Sequence, residues 1–309
     1  MYRLDFCNSI PIFQTVLKND SRCLYVLLSF SIIQVIVFDM NCPILPPTDD
    51  WIFKLLFGDE RNANLLIAML QTFIELPDEE YELTFLDTHL KPEYEEDKFG
   101  ILDVKVKTKS GKIINIEIQV NPVKNIGRRL SYYKSKMIVE QINKGDKYQV
   151  IQQVICICIT DYTLFPQTSD YLNNFVFFNS KNGLRFYDIP EEIYTLELPK
   201  VPVQNDGSAI WAWMQFLRSK EKEEFEMAAA KNPAVREAVN TLYELSTDKK
   251  VRAEYEMRHK AWLDRQSQLY DSREEGRAEG RAEAAIDFEK KMKDIGLSSE
   301  QISMIIDKK

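Results

Sequence analysis

Histidine is almost absent from this chain. There are two, His89 and His259, far apart in sequence. A histidine-based zinc site and a Ser-His-Asp triad both need more than that. Cysteine is scarce and odd in number: Cys7, Cys23, Cys42, Cys156 and Cys158. No pair has metal-ligand spacing, and an odd count argues against a disulfide framework. Cys156 and Cys158 fall in VICICIT, where they read as small apolar strand residues. This usage suits a reducing cytoplasm. A run long enough to span a membrane is also missing. Cys23 to Phe38 is sixteen mostly apolar residues broken by Ser29, Ser31 and Gln34, whereas a spanning helix needs about 20. Lys18 and Arg22 precede it, but no small-residue cleavage site follows. A membrane anchor is the least favoured reading of this segment. A buried strand is another, and translation from upstream of a true start at Met40 is the simplest.

Excess positive charge is lacking too. The net charge is −8, which sits poorly with a nucleic-acid partner until its distribution is considered. Glu75 to Asp97 carries ten acids against Lys91 alone. Lys105 to Lys147 carries eleven Lys or Arg against Glu117, Glu140 and Asp146. Such a local basic field can serve phosphate binding; ordinary solvated lysines are the plain alternative. Hydrophobic content of 45% and aromatics at 11% are those of a globular protein.

The most informative stretch present is Ile101 to Val120, ILDVKVKTKSGKIINIEIQV. Apolar and polar residues alternate on two arms around Ser110-Gly111, which predicts a β-hairpin. Leu102, Val104 and Val106 share one face of the first arm, and Asp103, Lys105 and Lys107 share the other. On the second arm Ile116, Ile118 and Val120 oppose Glu117 and Gln119. If the apolar sets face one core, Asp103, Glu117 and Gln119 emerge together. Hard divalent cations take one or two carboxylates plus water and phosphate, so this is a candidate metal site. A hairpin with one solvated polar face is the plain alternative.

Asp103 followed by Glu117-Ile118-Gln119 resembles the Asp…(Glu/Asp)-x-Lys core of the PD-(D/E)XK nuclease superfamily, with Gln in place of Lys. Asp50-Trp51-Ile52-Phe53-Lys54-Leu55-Leu56-Phe57-Gly58 resembles the D-x-x-F-K-x-x-F-G opening of its Rpn family of recombination-promoting nucleases and transposases. Gly100 to Val104 is similar to that family's G-x-L-D-V. Ile116 to Gln119 matches I-E-x-Q, Arg128 to Tyr132 matches R-x-L-x-Y, and Leu196 to Lys200 contains its closing E-L-P-K. The Glu-x-Gln form is usual in that family.

The resemblance implies an α/β fold: a restriction-endonuclease-like mixed sheet flanked by helices, followed by an all-helical C-terminal region. It implies a nuclease-like domain over residues 40–202, after an uncertain extension over 1–39. A helical region with a charged Gly-Arg-Glu tail then covers 203–309. Periodicity alone gives only helices plus a mixed sheet. Helices are predicted from about Asp50 to Phe57, Asn62 to Leu76 and Lys124 to Asn143. Strands are predicted at Leu83 to Leu90, Val150 to Thr160, Phe175 to Asn179, Leu184 to Tyr187 and Ile193 to Leu198. From Ser208 onward the chain reads as helical. Arg273, Arg277 and Arg281 recur at every fourth residue, as do Glu275, Glu279 and Glu283, with Gly276 and Gly280 between them. Like charges stacked in this way weaken a lone helix, so a partner helix, giving a homo-oligomer, is one reading and a frayed solvated helix the other. Ser298 is placed to cap a last helix to Ile306.

The functional expectation is a magnesium- or manganese-dependent endonuclease whose partner is DNA, with no small-molecule cofactor. Asp103 and Glu117 would hold the metal, with Asp50 as a further carboxylate. Gln119 would position water or phosphate. Lys105 is on the Asp103 face and would supply the missing positive charge. Arg128, Arg129, Tyr132 and Gln141 would reach substrate. A module that binds DNA or protein without cleaving is the rival class.

Overall fold

The computed structural model describes residues 43–74, 76–77, 82–90, 100–186, 190–230, 232–299 and 301–302, together with the backbone of three strands nearer the N-terminus. Those three are β1 (Leu17–Asn19), β2 (Arg22–Ser29) and β3 (Ile32–Phe38). They form an antiparallel sheet of their own, with Ser29 opposite Ile32. The described residues of the sixteen-residue apolar run are therefore in two strands rather than one helix. Among the described residues no helix is long and apolar enough to cross a membrane. The expected start at Met40 lies outside the described residues.

Helix α1 (Asp50–Phe57) follows a Pro-rich entry segment. Asp49 caps it, its carboxylate accepting from the backbone N–H groups of Trp51 and Ile52. Helix α2 (Ala63–Phe73) comes next. The expected strand over Leu83 to Leu90 is broken into β4 (Leu83–Phe85) and β5 (His89–Leu90). The Asp87 carboxylate accepts from the His89 N–H and turns the chain between them. β5 pairs with β6 (Gly100–Ile101) away from the main sheet.

The predicted hairpin is present as β7 (Val104–Thr108) and β8 (Ile113–Gln119). Gly111 makes its turn at φ 96°, a backbone state that glycine adopts freely. Helix α3 (Ile126–Val139) leads to β9 (Val154–Thr160), and β10 (Leu172–Phe175) to β11 (Glu191–Glu197). The sheet order is β10-β11-β9-β8-β7-β4. β8, β9 and β11 are parallel, and the outer pairings are antiparallel. β9 is buried on both faces along its whole length, which is why it reads as an unbroken apolar run. The turn predicted at Lys181 to Gly183 forms, but as a ribbon outside the sheet, with Phe178 bridged to Arg185. The strand expected at Phe175 ends there, because Leu172 to Phe175 are the residues that pair with β11.

Helix α3 covers the sheet face that carries Ile113, Cys156 and Cys158. Leu130, Tyr133 and Met137 pack there. Helix α1 lies against β8. Behind it, α2 packs with α4 (Ala209–Arg218) and α6 (Pro233–Thr247), and α5 (Lys222–Ala229) packs with α4 and α6. Aromatic contacts run Phe53, Phe57, Trp213, Phe216, Phe225 and Tyr243, with neighbouring ring centres 4.9–6.3 Å apart. At the C-terminal edge of the sheet, the Glu197 carboxylate accepts from the N–H groups of Leu164 and Phe165. Lys200 Nζ reaches Glu197 Oε1 at 2.7 Å and the Phe165 carbonyl at 2.8 Å. The E-L-P-K segment therefore anchors the loop after β9.

Chain contacts group the residues into Met1–Val251 and Arg252–Lys309. Helix α7 (Lys249–Asp294) buries none of its residues. It carries spaced ion pairs such as Arg258–Glu254 and Lys291–Asp287. Tyr255, His259 and Trp262 stack along it. Ser298 and Gln301 form a reciprocal cap, and the rest of the helix expected to follow lies outside the described residues.

Candidate functional site

Asp103 immediately precedes β7, and Glu117 is the fifth residue of β8. Val104 pairs with Ile116, so the same register sets Asp103 opposite Glu117. Asp103 is 9% exposed and Glu117 1%, so the polar face of the hairpin is covered rather than solvated. Asp103 Oδ2 accepts from the Ile118 N–H at 2.8 Å. Glu117 Oε1 accepts from Asn115 Nδ2 at 3.2 Å. Glu117 Oε2 is buried and makes no hydrogen bond.

Two cations face these carboxylates. Lys54, one turn into α1, has Nζ 3.3 Å from Asp103 Oδ1 and 2.9 Å from Asp50 Oδ1. Arg129, in the first turn of α3, has Nη2 3.5 Å from Glu117 Oε2. Its Nε donates to the Tyr133 hydroxyl at 2.9 Å, and its guanidinium lies over that ring.

Burial pushes the Asp103 carboxyl above its usual range, and the charges of Glu117 and Asp50 add to the effect. Burial also raises Glu117, opposed by the Asn115 hydrogen bond and the Arg129 charge. Burial opposes the Lys54 charge, but Asp50 and Asp103 outweigh it and hold the ammonium more firmly protonated than usual. Buried carboxyls shifted from their usual range and facing fixed cations are a common mark of a functional site.

A family model described as PD-(D/E)XK nuclease family transposase matches residues 47–272. The chain belongs to this family. The Rpn-like resemblance and the restriction-endonuclease-like fold agree with it. No curated protein and no solved structure matches the chain.

The transposase family's motif residues are distributed unevenly over the site. Asp103 and Glu117 meet at the centre. Gln119, half-buried, ends β8 on the same face as Glu117. Asp50 is at the rim, 61% exposed and paired with Lys54. Among the described residues no three His, Cys, Asp or Glu side chains are grouped to hold an ion. Lys105 points elsewhere, into a pair with Glu140 at 2.9 Å. Arg128 is exposed, whereas Arg129 reaches Glu117. Tyr132 is half-buried, and it is Tyr133 that meets Arg129. Gln141 bonds the backbone of Met137 and Gln152 and ties α3 to the segment before β9.

Sequence reasoning missed Lys54, Tyr133 and Asn115. Lys54 was signalled by its four-residue spacing from Asp50 and Tyr133 by the same spacing from Arg129, since side chains so spaced meet on a helix. Asn115 was signalled by strand parity with Glu117.

The residues present suit a divalent ion. Asp103 is held by a backbone N–H and Glu117 by the Asn115 side chain, and one buried Glu117 oxygen lacks a hydrogen bond. Water and a substrate phosphate ordinarily complete such a shell.

Proposed function

We propose that this chain is a divalent-metal-dependent DNA endonuclease, with Mg²⁺ or Mn²⁺ held by Asp103 and Glu117 and with Asp50 as an outer carboxylate. The observation that carries the reading is the facing pair of buried carboxylates, Asp103 and Glu117, flanked by Lys54 and Arg129. A bound ion would supply Lewis acidity toward a phosphodiester and offset the charge that develops on it. Lys54 supplies a fixed cation beside Asp103, the role that the superfamily assigns to the residue replaced here by Gln119. Arg129, held by Tyr133, presents a second cation toward the same phosphate. Gln119 orients water or a phosphate oxygen through its amide and carries no charge. The exposed Arg128 contributes to backbone binding. Lys105 belongs to the Glu140 pair, and its part in binding is indirect. The C-terminal helix α7 offers a surface for self-association.

The test is nicking of supercoiled plasmid DNA with and without Mg²⁺, by wild type and by Asp103→Ala and Glu117→Ala. Metal-dependent nicking lost in both variants is expected. Undiminished nicking by either variant, with contaminating nuclease excluded, overturns the site.

A further inference from the structure

Strand β8 runs Ile113-Ile114-Asn115-Ile116-Glu117-Ile118-Gln119. A strand buried on both faces is ordinarily apolar throughout. Asn115 is 0% exposed. It lies between Lys105 of β7 and Cys156 of β9. Its Nδ2 donates to Glu117 Oε1, and its Oδ1 is buried with no hydrogen-bond partner. An unsatisfied buried carbonyl costs about 1–3 kcal/mol. An isoleucine in this slot would avoid that cost and extend the apolar run but would strand Glu117 Oε1, so the amide serves Glu117 rather than the packing of the strand.

What the amide does is divide the labour of the two Glu117 oxygens. Oε1 is tied to Asn115, and Oε2 is left without a hydrogen bond, toward Arg129. A free glutamate can rotate about its terminal bond and present either oxygen. A buried donor two residues away on the same strand face stops that rotation. Carboxylates that ligate metals are ordinarily held in this way by a partner behind them.

We propose that Asn115 is a positioning residue that fixes the Glu117 carboxylate for the divalent ion. The inference rests on the proposed metal-binding reading and names the group that orients one of its two ligands. Asn115 is fully buried and acts through Glu117.

The experiment measures Mn²⁺ binding to the full chain by the paramagnetic resonance signal of free Mn²⁺, beside Mn²⁺-dependent plasmid nicking. Wild type, Glu117→Ala and Asn115→Leu are compared; leucine keeps the branching at Cγ, is bulkier, and removes the donor. Asn115→Leu is expected to weaken Mn²⁺ binding about 10- to 100-fold, the usual loss when an outer hydrogen bond to a ligand is removed. The metal concentration for half-maximal nicking should rise in parallel, with the rate largely recovered at saturating Mn²⁺. A purely structural role would lower the melting temperature without that split. Should the leucine variant fail to fold, Asn115→Ala gives the same comparison. Mn²⁺ affinity equal to wild type in a folded Asn115 variant, with binding lost in Glu117→Ala, overturns this inference alone. Absence of Mn²⁺ binding by wild type overturns both readings.

Discussion

Lys54 is the residue through which this site departs most from what its sequence suggests, and Lys54→Met tests its role. Methionine keeps the unbranched chain and helix propensity and removes the charge. The lost ammonium lies 3.3 Å from Asp103 Oδ1 and is about one-third exposed. Opposite charges about 4 Å apart interact by about 4 kcal/mol gross at an effective dielectric of about 20. Part of that returns through relief of lysine desolvation, because burial is the largest influence on Lys54 and opposes its charge. Fixed donors aimed at developing charge typically account for about 10²- to 10³-fold in rate. Lys54→Met should therefore lower the nicking rate at saturating Mg²⁺ by about that factor. Lys54→Arg should retain more activity, since guanidinium remains charged and reaches phosphate. Gln119→Lys added to Lys54→Met should recover part of the loss, because Gln119 is on the Glu117 face of β8. The assay is single-turnover plasmid nicking over a Mg²⁺ titration, with melting temperatures confirming the fold. A Lys54→Met rate within about threefold of wild type would falsify the electrostatic role, given the size of effect that such groups ordinarily have.

Four further outcomes are expected. Replacing Arg128 and Arg129 together by Ala should weaken DNA binding across sequences and flatten its salt dependence, read by fluorescence anisotropy at several ionic strengths; an unchanged salt slope would place phosphate contacts elsewhere. The folded-state carboxyls of Asp103 and Glu117 are raised, so their stabilising contribution is full below the ordinary carboxylate range and is lost as pH rises through the raised values. Thermal melts of the metal-free protein should fall over that window, and Mg²⁺ should restore more at the higher pH; a melt that rises there refutes the account. Lys200→Met should destabilise by about 3–5 kcal/mol, because it strands the buried Glu197 carboxylate, as read by urea unfolding; a loss below about 1 kcal/mol would mean that the pair is dispensable. A chain ending at Val251 should show a smaller mass per particle in light scattering than the full chain, if α7, which buries none of its own residues, self-associates; a mass reduced only by the deleted residues refutes that.

The central hairpin and its two carboxylates were legible because strand parity fixes direction. Asp103 and Glu117 alternate with residues that must be buried, so their facing arrangement follows from period two. The cations were not legible on the same ground. Parity places Lys105 on the Asp103 face, but it cannot show that Glu140, thirty-five residues on, takes its ammonium. Nor can it see Lys54, which reaches Asp103 from a helix on a separate segment of chain. Arg128 and Arg129 were both expected near substrate, and it is Arg129, with Tyr133 rather than Tyr132, that is docked beside Glu117. Nothing in that helix's composition separates the two registers until it is docked on the sheet. The strand expected over Leu83 to Leu90 failed for a local reason, the capture of the His89 N–H by Asp87.

Two buried glutamates near the same edge of the sheet show why burial alone does not make a ligand. Glu197 pairs in register with Thr160, and Thr160 with Gln119, so Glu197 shares an edge with the site and is 0% exposed. Its Oε2 already accepts two backbone N–H groups and its Oε1 holds Lys200. A carboxylate with both oxygens engaged in this way gains little by giving up those bonds to an ion. Glu117 is just as deeply buried, yet one of its oxygens has no hydrogen bond and the Arg129 guanidinium is 3.5 Å away from it. An unsatisfied buried carboxylate oxygen is unfavourable unless something arrives to meet it. Of two acids in family-like motifs, the one that is fully bonded is therefore scaffold, holding the loop after β9 in place. The incompletely bonded one is where an incoming charge would be stabilised.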